Sequence, residues 1–505
     1  MTSNELLALA PLVFVIGLAM AIVVVDMLFP HRDELMTVLG VTGLIVALGL
    51  TFIAGPLPGI GSLPVEGQSI LGGVYIRDQL TSFLDLIFLV IALLSVLFAA
   101  DYLKPRQLPM AEFTATLLFA ISGAMLLGGA RDLLILFLGL ELLVLPGYML
   151  AGYAKRDGLS TEGAIKYFLL GSFSSAILLF GLALVLGYTG STRVEGIAAQ
   201  LTLVASGEAP LSLGLAMGLA LLTTGAAFKI AAVPFHYWTP DAYQGSPTPV
   251  TGYLSVGPKI AAFALILRLF VEAFAPLKAD WLPFVIIMAA ITMTLGNIVA
   301  VTQDNIKRML GYSSIAHTGY ILVGLAAYAA APLGSSAEAE GLKALLFYSV
   351  AYAFMNLGAF ACVAAIQRRP GVTSQISSFA GLGSRAPLLA LTMTLFLLSL
   401  TGIPPTAGFF AKAEILISAV QTGGWISILA VIMMLNAAAA AFYYLRIVVY
   451  MYMREGPENA RAITVGGATR VGLIVAALGT VLIGLAPPVT SAVFDMAQAA
   501  AAALL

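Results

Sequence analysis

Long apolar runs separated by short polar breaks follow one another along the whole 505-residue chain. Runs of 18 or more apolar residues are long enough to cross about 30 Å of hydrocarbon as α-helices. The alternating ten-residue segments typical of a membrane β-barrel do not occur. The pattern predicts an all-α polytopic membrane protein with about fourteen transmembrane helices. These predicted helices cover residues 6–29, 35–54, 78–101, 111–129, 131–152, 160–188, 209–239, 250–275, 281–302, 307–331, 341–367, 386–420, 423–453 and 466–490.

Two of the predicted helices are unusually long and contain prolines. The seventh ends in FKIAAVPFHYWTP, which includes Pro234, and the twelfth contains TGIPPTAGFFAK, which includes Pro404 and Pro405. Proline lacks an N–H donor and clashes with the carbonyl four residues back, so we expect both helices to break. Unpaired backbone groups are tolerated at membrane depth only where they are buried in protein or line a wet cavity.

The two breaks indicate an internal repeat. Helices four to eight and nine to thirteen form two five-helix blocks, each broken at its fourth helix, which is the pattern of inverted repeats around an ion site. Because five is an odd number, the second block must enter the membrane from the opposite side. The predicted divisions are an N-terminal three-helix group (1–110), a first repeat (111–275), a second repeat (281–453) and a last helix with a short tail (454–505).

The Lys and Arg residues of the predicted loops are unevenly distributed. Loops after odd-numbered helices contain thirteen of them, and loops after even-numbered helices contain five. Since cationic residues concentrate in cytoplasmic loops, the odd-numbered loops are predicted to face the cytoplasm and both termini the periplasm. The longest polar connections, 55–77 and 189–208, are too short to form a soluble domain.

Composition excludes several functional classes. The net charge is −1, and only 10% of the residues are charged, so nothing indicates a nucleic acid partner. The one cysteine, Cys362, allows neither an internal disulfide nor an iron–sulfur cluster held by this chain alone. The three histidines, His31, His236 and His317, lie far apart, and no dinucleotide or Walker A motif occurs. We therefore expect this chain to bind no cofactor or metal.

Four ionisable side chains lie inside apolar runs: Glu141, Lys229, Lys259 and Lys412. A charge at the bilayer centre costs about 2.5–3.5 kcal/mol on insertion scales, so such residues usually mark an ion path. At 1.5 Å per residue, Glu141 lies roughly 15 Å and Lys259 roughly 14 Å into their helices, near the midplane. His317 lies at a similar depth and is either a proton bridge between Lys259 and Lys412 or a packing residue.

Other polar residues in apolar segments have simpler interpretations. Lys166 follows Glu162 by four residues, which predicts a surface ion pair. Arg268 and Arg446 lie toward the ends of their helices, from which long side chains can extend to the membrane surface. His236, beside a predicted break, is expected to hydrogen-bond to loosened backbone groups. Asp85 is expected to lie near a helix end or to have a packing partner, and Tyr443 and Tyr444 are expected to serve in helix packing or in an interfacial belt.

Four stretches are specific enough to compare with a known family. They read FLGLELLVLPGYMLAGY (137–153), TEGAIKYFLLGSFSSAILLFGLALVLG (161–187), KIAAVPFHYWTPDAYQGSPTPVTGYLSVGPKIAAF (229–263) and LLSLTGIPPTAGFFAKAEIL (397–416). Together they resemble the N-type antiporter-like subunits of bacterial respiratory complex I, the proton-pumping NADH:quinone oxidoreductase. The resemblance covers nearly the whole chain, and the third stretch is too long and specific for chance similarity.

The resemblance implies a fourteen-helix antiporter-like fold in the membrane arm of a complex in the bacterial inner membrane. The implied partners are the middle antiporter-like subunit on one side and small subunits near the quinone module on the other. FMN, iron–sulfur clusters and quinone are implied on other subunits, and the electron donor, NADH or ferredoxin, stays open. The alternatives are a subunit of a multi-subunit cation/proton antiporter and a scaffold that does not pump. The intact glutamate and three lysines argue against the scaffold.

The resemblance also implies roles for the buried charges. Glu141 and Lys229 are expected to form a breakable ion pair, Lys259 to be the central proton carrier and Lys412 the terminal carrier near one exit. Burial disfavours the charged form of a lysine, whereas a nearby carboxylate favours it. At an effective dielectric of about 20, opposite charges about 4 Å apart attract by about 4 kcal/mol. Opening and closing the pair would therefore switch the lysine between holding and releasing a proton.

One residue departs from the expected N-type pattern. The middle antiporter-like subunit is expected to carry a glutamate at the position of Lys412, and here Glu414 follows two residues later. Such a carboxylate would partly neutralise Lys412 if the two side chains turned toward each other. Residues two apart on a helix do not share a face, so Lys412 is kept as the predicted proton carrier.

Overall fold

The computed structural model describes residues 2–56, 63, 67–368, 371–456 and 463–505. Within these ranges the chain forms nineteen α-helices and one antiparallel two-stranded sheet. The helices are α1 Ser3–Leu28, α2 Asp33–Ala54, α3 Gln79–Leu103, α4 Met110–Gly129, α5 Leu133–Ala151, α6 Gly158–Thr189, α7 Val194–Ala205, α8 Leu213–Lys229, α9 Trp238–Gly245, α10 Thr248–Ile266, α11 Lys278–Val301, α12 Ile306–Ala330, α13 Ser336–Ile366, α14 Leu382–Arg385, α15 Pro387–Thr401, α16 Ala407–Thr422, α17 Gly424–Met453, α18 Gly467–Leu485 and α19 Pro487–Ala502. The strands are β1 Gln68–Ile70 and β2 Tyr75–Arg77, and a π-helical turn, Leu267–Ala273, extends α10. Arg369, Arg461 and part of the 55–77 connection lie outside the described residues.

Eleven helices in the described part of the chain are long and apolar enough to cross a membrane. Each of the fourteen predicted segments contains a helix, so the prediction of an all-α, multi-pass membrane protein is confirmed. The seventh segment is split into α8 and α9, and the twelfth into α15 and α16. Both predicted breaks are therefore confirmed. Pro234, Pro404 and Pro405 lie in the non-helical turns, and the peptide bonds that precede Pro234 and Pro405 are cis.

Several elements were not predicted, among them the four-residue helix α14. The predicted connection at 189–208 contains α7, which buries Val194, Ile197 and Leu201 at helical spacing. The 55–77 connection contains the β1–β2 hairpin. The last predicted helix ends early, at Leu485, because Pro487 begins the separate helix α19. Proline is well suited to a first helical turn, where its missing N–H would have no partner in the helix.

The centre of the fold is built from α10, α12 and α13. Every residue of α10 is buried, and most residues of α12 and α13 are buried as well. By contrast, α1, α2, α6 and α17 bury one face and expose large apolar side chains, including Met27, Phe173 and Met434, on the other. Polar side chains on the three central helices are therefore enclosed by protein, away from the apolar outer surface.

Two glycines allow α11 and α12 to approach closely. A Cβ atom on Gly319 would lie 2.5 Å from the backbone nitrogen of Met293, and one on Gly296 would lie 2.7 Å from that of Ala316. Both distances are shorter than a van der Waals contact, and the opposing atoms are backbone atoms that cannot rotate away. These positions therefore hold α12, with its polar residues, against α11.

We expect Gly319→Ala to destabilise the subunit, because the added methyl group forces α11 and α12 apart. Overpacking of this kind costs about 1–3 kcal/mol. The measurement is the temperature at which half of the subunit aggregates from the purified, detergent-solubilised assembly. Gly17→Ala in α1 is the control, since no atom lies within 4 Å of the added Cβ there. Equal aggregation temperatures for the two variants would contradict the close-packing argument.

Candidate functional site

Lys259 lies in the middle of α10 and is buried. Its Nζ donates to the carbonyl oxygen of Ser314 at 2.9 Å, to Ser314 Oγ at 2.7 Å and to Thr318 Oγ1 at 3.3 Å. All of these acceptors are neutral groups on α12. No carboxylate in the described ranges forms an ion pair with Lys259 within 4.0 Å. The lysine is thus positioned by hydrogen bonds, without a compensating charge in contact.

Lys229 is the last residue of α8 and is also buried. Its Nζ donates to Ser175 Oγ at 2.9 Å and contacts the Gly171 carbonyl oxygen at 3.4 Å, both on α6. The predicted Glu141–Lys229 ion pair is absent from this structure, because the α6 groups take the lysine instead. The buried Oε1 of Glu141 has no hydrogen-bond partner. The pair is therefore open in this structure.

A small cavity lies beside Lys229. Its volume is about 10 Å³, close to the space that one water molecule needs. The residues that line it are Leu140, Leu143, Val144, Tyr167, Phe228, Lys229, Trp238 and Pro258. Pro258 immediately precedes Lys259 in α10, so the cavity lies between the segments that carry the two lysines.

The break between α8 and α9 frees backbone groups that side chains then satisfy. The Ile230 carbonyl accepts from Thr318 Oγ1 at 2.9 Å, and the Val233 N–H donates to Thr292 Oγ1 at 3.0 Å. Thr318 also accepts from Lys259, so the break and the central lysine share one hydrogen-bond network. His236 is buried beside the break, and its Nδ1 has no hydrogen-bond partner, so the expected bond to a loosened backbone group stays a prediction.

The break between α15 and α16 is capped by Lys412. Its Nζ donates to the carbonyl oxygens of Leu400 at 2.9 Å and Thr401 at 2.7 Å, which the break has released from helical pairing. The ammonium group also lies 5.1 Å from the centre of the Tyr320 ring, within the range of a cation–π contact. Glu414 points elsewhere and pairs with Lys343 at 3.2 Å, so it does not neutralise Lys412 through a direct ion pair.

His317 lies on α12 between Ser314, which accepts from Lys259, and Tyr320, whose ring contacts Lys412. Its Nδ1 lies 2.7 Å from the Tyr348 hydroxyl, and its Nε2 lies 3.2 Å from the Tyr444 hydroxyl. The Tyr444 hydroxyl also hydrogen-bonds to Ser313. Both ring nitrogens of His317 thus face hydroxyl groups. These polar contacts lead away from the Lys259 acceptors, which lie on the same helix.

A second set of polar groups lies nearer to Lys412. Asn297 accepts from Tyr443 at 2.9 Å and donates to the Tyr320 hydroxyl at 2.8 Å. Tyr320 presents its ring to Lys412. Tyr443 and Tyr444 are fully buried and pack against each other, as expected, and their hydroxyls also belong to this network. A usable sequence signal was present, since polar residues flank His317 at helical spacing. The polar residues at these positions of α12 are Ser313, Ser314 and Tyr320.

Other predictions from the sequence have mixed outcomes. Lys166 pairs with Glu162 at 2.6 Å, as predicted, and also with Asp241 at 2.8 Å. Asp85 has the expected packing partner, since it forms a fully buried pair with Arg77 at 2.5 Å. Arg446 donates to the backbone carbonyls of Val301 and Gln303 at the C-terminal end of α11. The prediction that Arg268 extends to the surface is wrong. Arg268 is fully buried because Asp78 and Glu272 bind it inside the protein.

The sequence profile described as "NADH:quinone oxidoreductase/Mrp antiporter, TM" matches residues 130–436. NADH-quinone oxidoreductase subunit N from Trichlorobacter lovleyi is 41% identical over 493 residues, which cover 97% of this chain and 96% of the relative. The chain belongs to the NADH:quinone oxidoreductase/Mrp antiporter family. The predicted resemblance to N-type subunits of the proton-translocating NADH:quinone oxidoreductase is confirmed.

Solved structures place the fold in the same family. A chain of respiratory complex I from Thermus thermophilus with bound aureothin is 30% identical, with a TM-score of 0.76, covering 95% of this chain and 98% of that one. A chain of the Mrp complex from Dietzia sp. DQ12-45-1b gives a TM-score of 0.83 at 21% identity, covering 100% and 98%. At that identity the Mrp chain shares the fold alone, so it does not favour the antiporter alternative.

Proposed function

We propose that this chain translocates protons as a membrane-arm subunit of a complex I, driven by quinone reduction on other subunits. One observation carries the proposal: polar side chains extend from Lys259 to Lys412 through an otherwise apolar core, and both ends meet a broken helix. Buried polar groups are costly unless they are satisfied, and in membrane proteins they usually serve transport. NADH is the donor named for the relatives, and a related donor would drive the same subunit.

In this proposal Lys259 is the central proton carrier and Lys412 the terminal carrier. His317 passes protons between them, because each ring nitrogen faces a hydroxyl that can donate or accept. In this proposal, water completes the gaps between these groups. Arginine at either lysine position would not serve, because a guanidinium does not give up its proton in proteins.

Glu141 and Lys229 act as the switch. In the open state described above, Lys229 is held by α6, and Glu141 has an unpartnered buried oxygen. Closing the ion pair would favour the charged form of Lys229 and change the electrostatic field at the next lysine. The cavity between Lys229 and Pro258 gives a water molecule a position from which to couple the pair to Lys259.

The membrane arrangement that accompanies this function has fourteen spans and two inverted repeats. The first repeat covers 111–275 and the second 281–453, each with one broken helix, after a three-helix group at 1–110 and before the segment 454–505. The proposed location is the bacterial inner membrane, and the uneven Lys and Arg content of the loops supports an orientation with both termini on the periplasmic side.

The redox groups belong to other subunits in this proposal. FMN, iron–sulfur clusters and quinone are assigned to those chains, and the described residues offer no group of three His, Cys, Asp or Glu side chains that could hold a metal ion. The proposed neighbours are the middle antiporter-like subunit on one side and small subunits near the quinone module on the other.

The test is purification of the native assembly through a tag on this chain, followed by reconstitution into sealed vesicles. We expect flavin and iron–sulfur subunits to co-purify, and NADH plus a quinone to drive proton movement across the vesicle membrane. An assembly without redox subunits that exchanges Na⁺ or K⁺ for protons would instead support the multi-subunit antiporter. A redox-active assembly that moves no protons would contradict both functions.

A further inference from the structure

Lys307 is a further buried lysine, beyond Lys229, Lys259 and Lys412. It lies in the first turn of α12 and is only 4% exposed, although its sequence position predicts a loop cation. The turn between α9 and α10 folds over it, and its Nζ donates to the carbonyl oxygens of Gln244, at 2.9 Å, and Ser246. In the part of the chain that the structure describes, no carboxylate pairs with it within 4.0 Å.

Polar groups connect Lys307 to Lys259 along the contact between α10 and α12. The Ser246 carbonyl that binds Lys307 also accepts from Thr251 Oγ1 at 3.3 Å. Thr251, Ser255 and Lys259 follow at intervals of four residues, so they share one face of α10. On α12, Ser314 lies seven residues after Lys307, roughly 10 Å along the helix.

Ser314 joins the two helices at the Lys259 end. Its Oγ accepts from Lys259 Nζ at 2.7 Å and approaches the Ser255 carbonyl oxygen at 3.4 Å. The two lysines are therefore the ends of one polar strip that is two helical turns long. We name the residues between them, Thr251, Ser255, Ser314 and Asn356, the α10–α12 strip.

The third side of this strip is formed by α13 and has unsatisfied polar atoms. Asn356 Nδ2 donates to Ser255 Oγ at 2.7 Å. The Asn356 Oδ1 and the hydroxyl of Tyr352, one turn earlier, are both buried without a hydrogen-bond partner. Nearly all buried polar atoms in proteins have a partner, and internal water supplies it where protein does not. The two atoms therefore mark a position for water beside the strip.

We propose that Lys307 is the residue through which cytoplasmic protons reach Lys259. This inference rests on the proposed function and on the loop charges that place the start of α12 at the cytoplasmic side. The Lys307 ammonium gives a proton to internal water, and the water gives a proton to the neutral amine of Lys259. Lys307, now neutral, regains a proton from cytoplasmic water beside Asp241 and Arg308, which pair at 2.6 Å and are each about one-third exposed.

A purely structural role makes a different prediction. Lys307 donates to carbonyls at the C-terminal end of α9, and a cation in that position stabilises a helix. Arginine supplies the same positive charge and the same kind of donor, so it would preserve a cap. It would not preserve proton transfer, because the guanidinium stays protonated. Lys307→Arg therefore separates the two roles.

The experiment reconstitutes the complete assembly with Lys307→Arg into sealed vesicles. NADH oxidation by a water-soluble acceptor reports the redox subunits, and quinone-dependent proton movement reports pumping. We expect normal oxidation by the soluble acceptor and a loss of proton movement of about 10²-fold, the scale of removing a positioned proton-transfer group. Lys278→Arg is the matched control. Lys278 lies on the opposite side and donates to the Ala331 carbonyl at 2.8 Å and to Glu338, so we expect normal pumping.

Normal pumping by Lys307→Arg would overturn the inference and leave a helix cap as the role of Lys307. If that variant fails to assemble, Asn356→Leu decides, because it removes the amide from the α10–α12 strip and keeps the branched shape of the side chain. Reduced pumping in Asn356→Leu supports the route, and normal pumping overturns it. Lys259→Met distinguishes a failure of the Lys307 route from a failure of the proposed function. If Lys259→Met also pumps normally, the proposed function fails. If Lys259→Met loses pumping while the other variants pump normally, only the Lys307 route fails.

Discussion

Lys259→Met should abolish quinone-dependent proton movement while the assembly still forms. Methionine has nearly the length of lysine and no ionisable group, so it fills the space and removes the proton carrier. The acceptors that lose the lysine keep other partners: Thr318 still donates to the Ile230 carbonyl and Ser314 to that of Ser255. We expect a fall of about 10²-fold or more, because a positioned acid or base contributes about 10²–10⁴-fold.

Two further variants make this result specific. Lys259→Arg keeps the positive charge but cannot release a proton, so we expect it to fail as well. Lys155→Met is the same chemical change at an exposed lysine and should pump normally. The measurement is the number of protons moved per NADH oxidised in sealed vesicles. If Lys259→Met moved protons at the normal ratio, the relay between Lys259 and Lys412 would not exist as proposed.

The helices could be predicted because the bilayer sets a minimum length for an apolar run. The same constraint explains why the breaks were predictable, since proline acts through its own covalent structure and needs no tertiary information. Lys229, Lys259 and Lys412 could be identified because a charge in an apolar run is costly wherever its neighbours lie. The structure then places each of the three in a buried position, in contact with hydroxyl or carbonyl oxygens.

Contacts across helices could not be predicted in the same way. Nothing near Lys229 in the sequence shows that Ser175 would take the place of Glu141. Tyr444 reaches His317 only because α17 packs on α12, and Lys307 is buried only because a turn 60 residues earlier folds over it. α7 was missed because its twelve residues are amphipathic and too short for a membrane span. Each of these features depends on the rotation of one helix against another, which helical periodicity alone leaves open.

The burial of Arg268 also depends on contacts across helices that could not be predicted. Its substitution has the largest expected effect on stability. Its Nη2 donates to Asp78 at 2.8 Å and 3.0 Å and to Thr81 at 3.0 Å, and its Nε donates to the Gly128 carbonyl at 2.9 Å. Glu272 completes the site. One guanidinium thus joins the π-helical end of α10 to the start of α3 and the end of α4. Arg268→Met would leave a buried carboxylate without its partner.

We expect Arg268→Met to cost about 3–5 kcal/mol, the typical penalty for removing one member of a buried ion pair. The readout is the fraction of subunit recovered from the detergent-solubilised assembly after heating through a series of temperatures. Arg446→Met is the control, because that side chain is partly exposed and its acidic neighbour Asp304, 3.9 Å away, is exposed. Exposed pairs are worth only about 0–1 kcal/mol, so recovery should change little.

The source of the Arg268 penalty can be tested by removing the charge that it leaves behind. If the loss in Arg268→Met comes from the uncompensated carboxylate of Asp78, then adding Asp78→Asn should restore part of the stability. Asparagine keeps an oxygen that can accept from the Thr81 N–H, which Asp78 now caps at 2.7 Å. A double variant no more stable than Arg268→Met would instead mean that the lost hydrogen bonds to Thr81 and Gly128 dominate. In that case the guanidinium holds α3, α4 and α10 together mainly through its geometry rather than its charge.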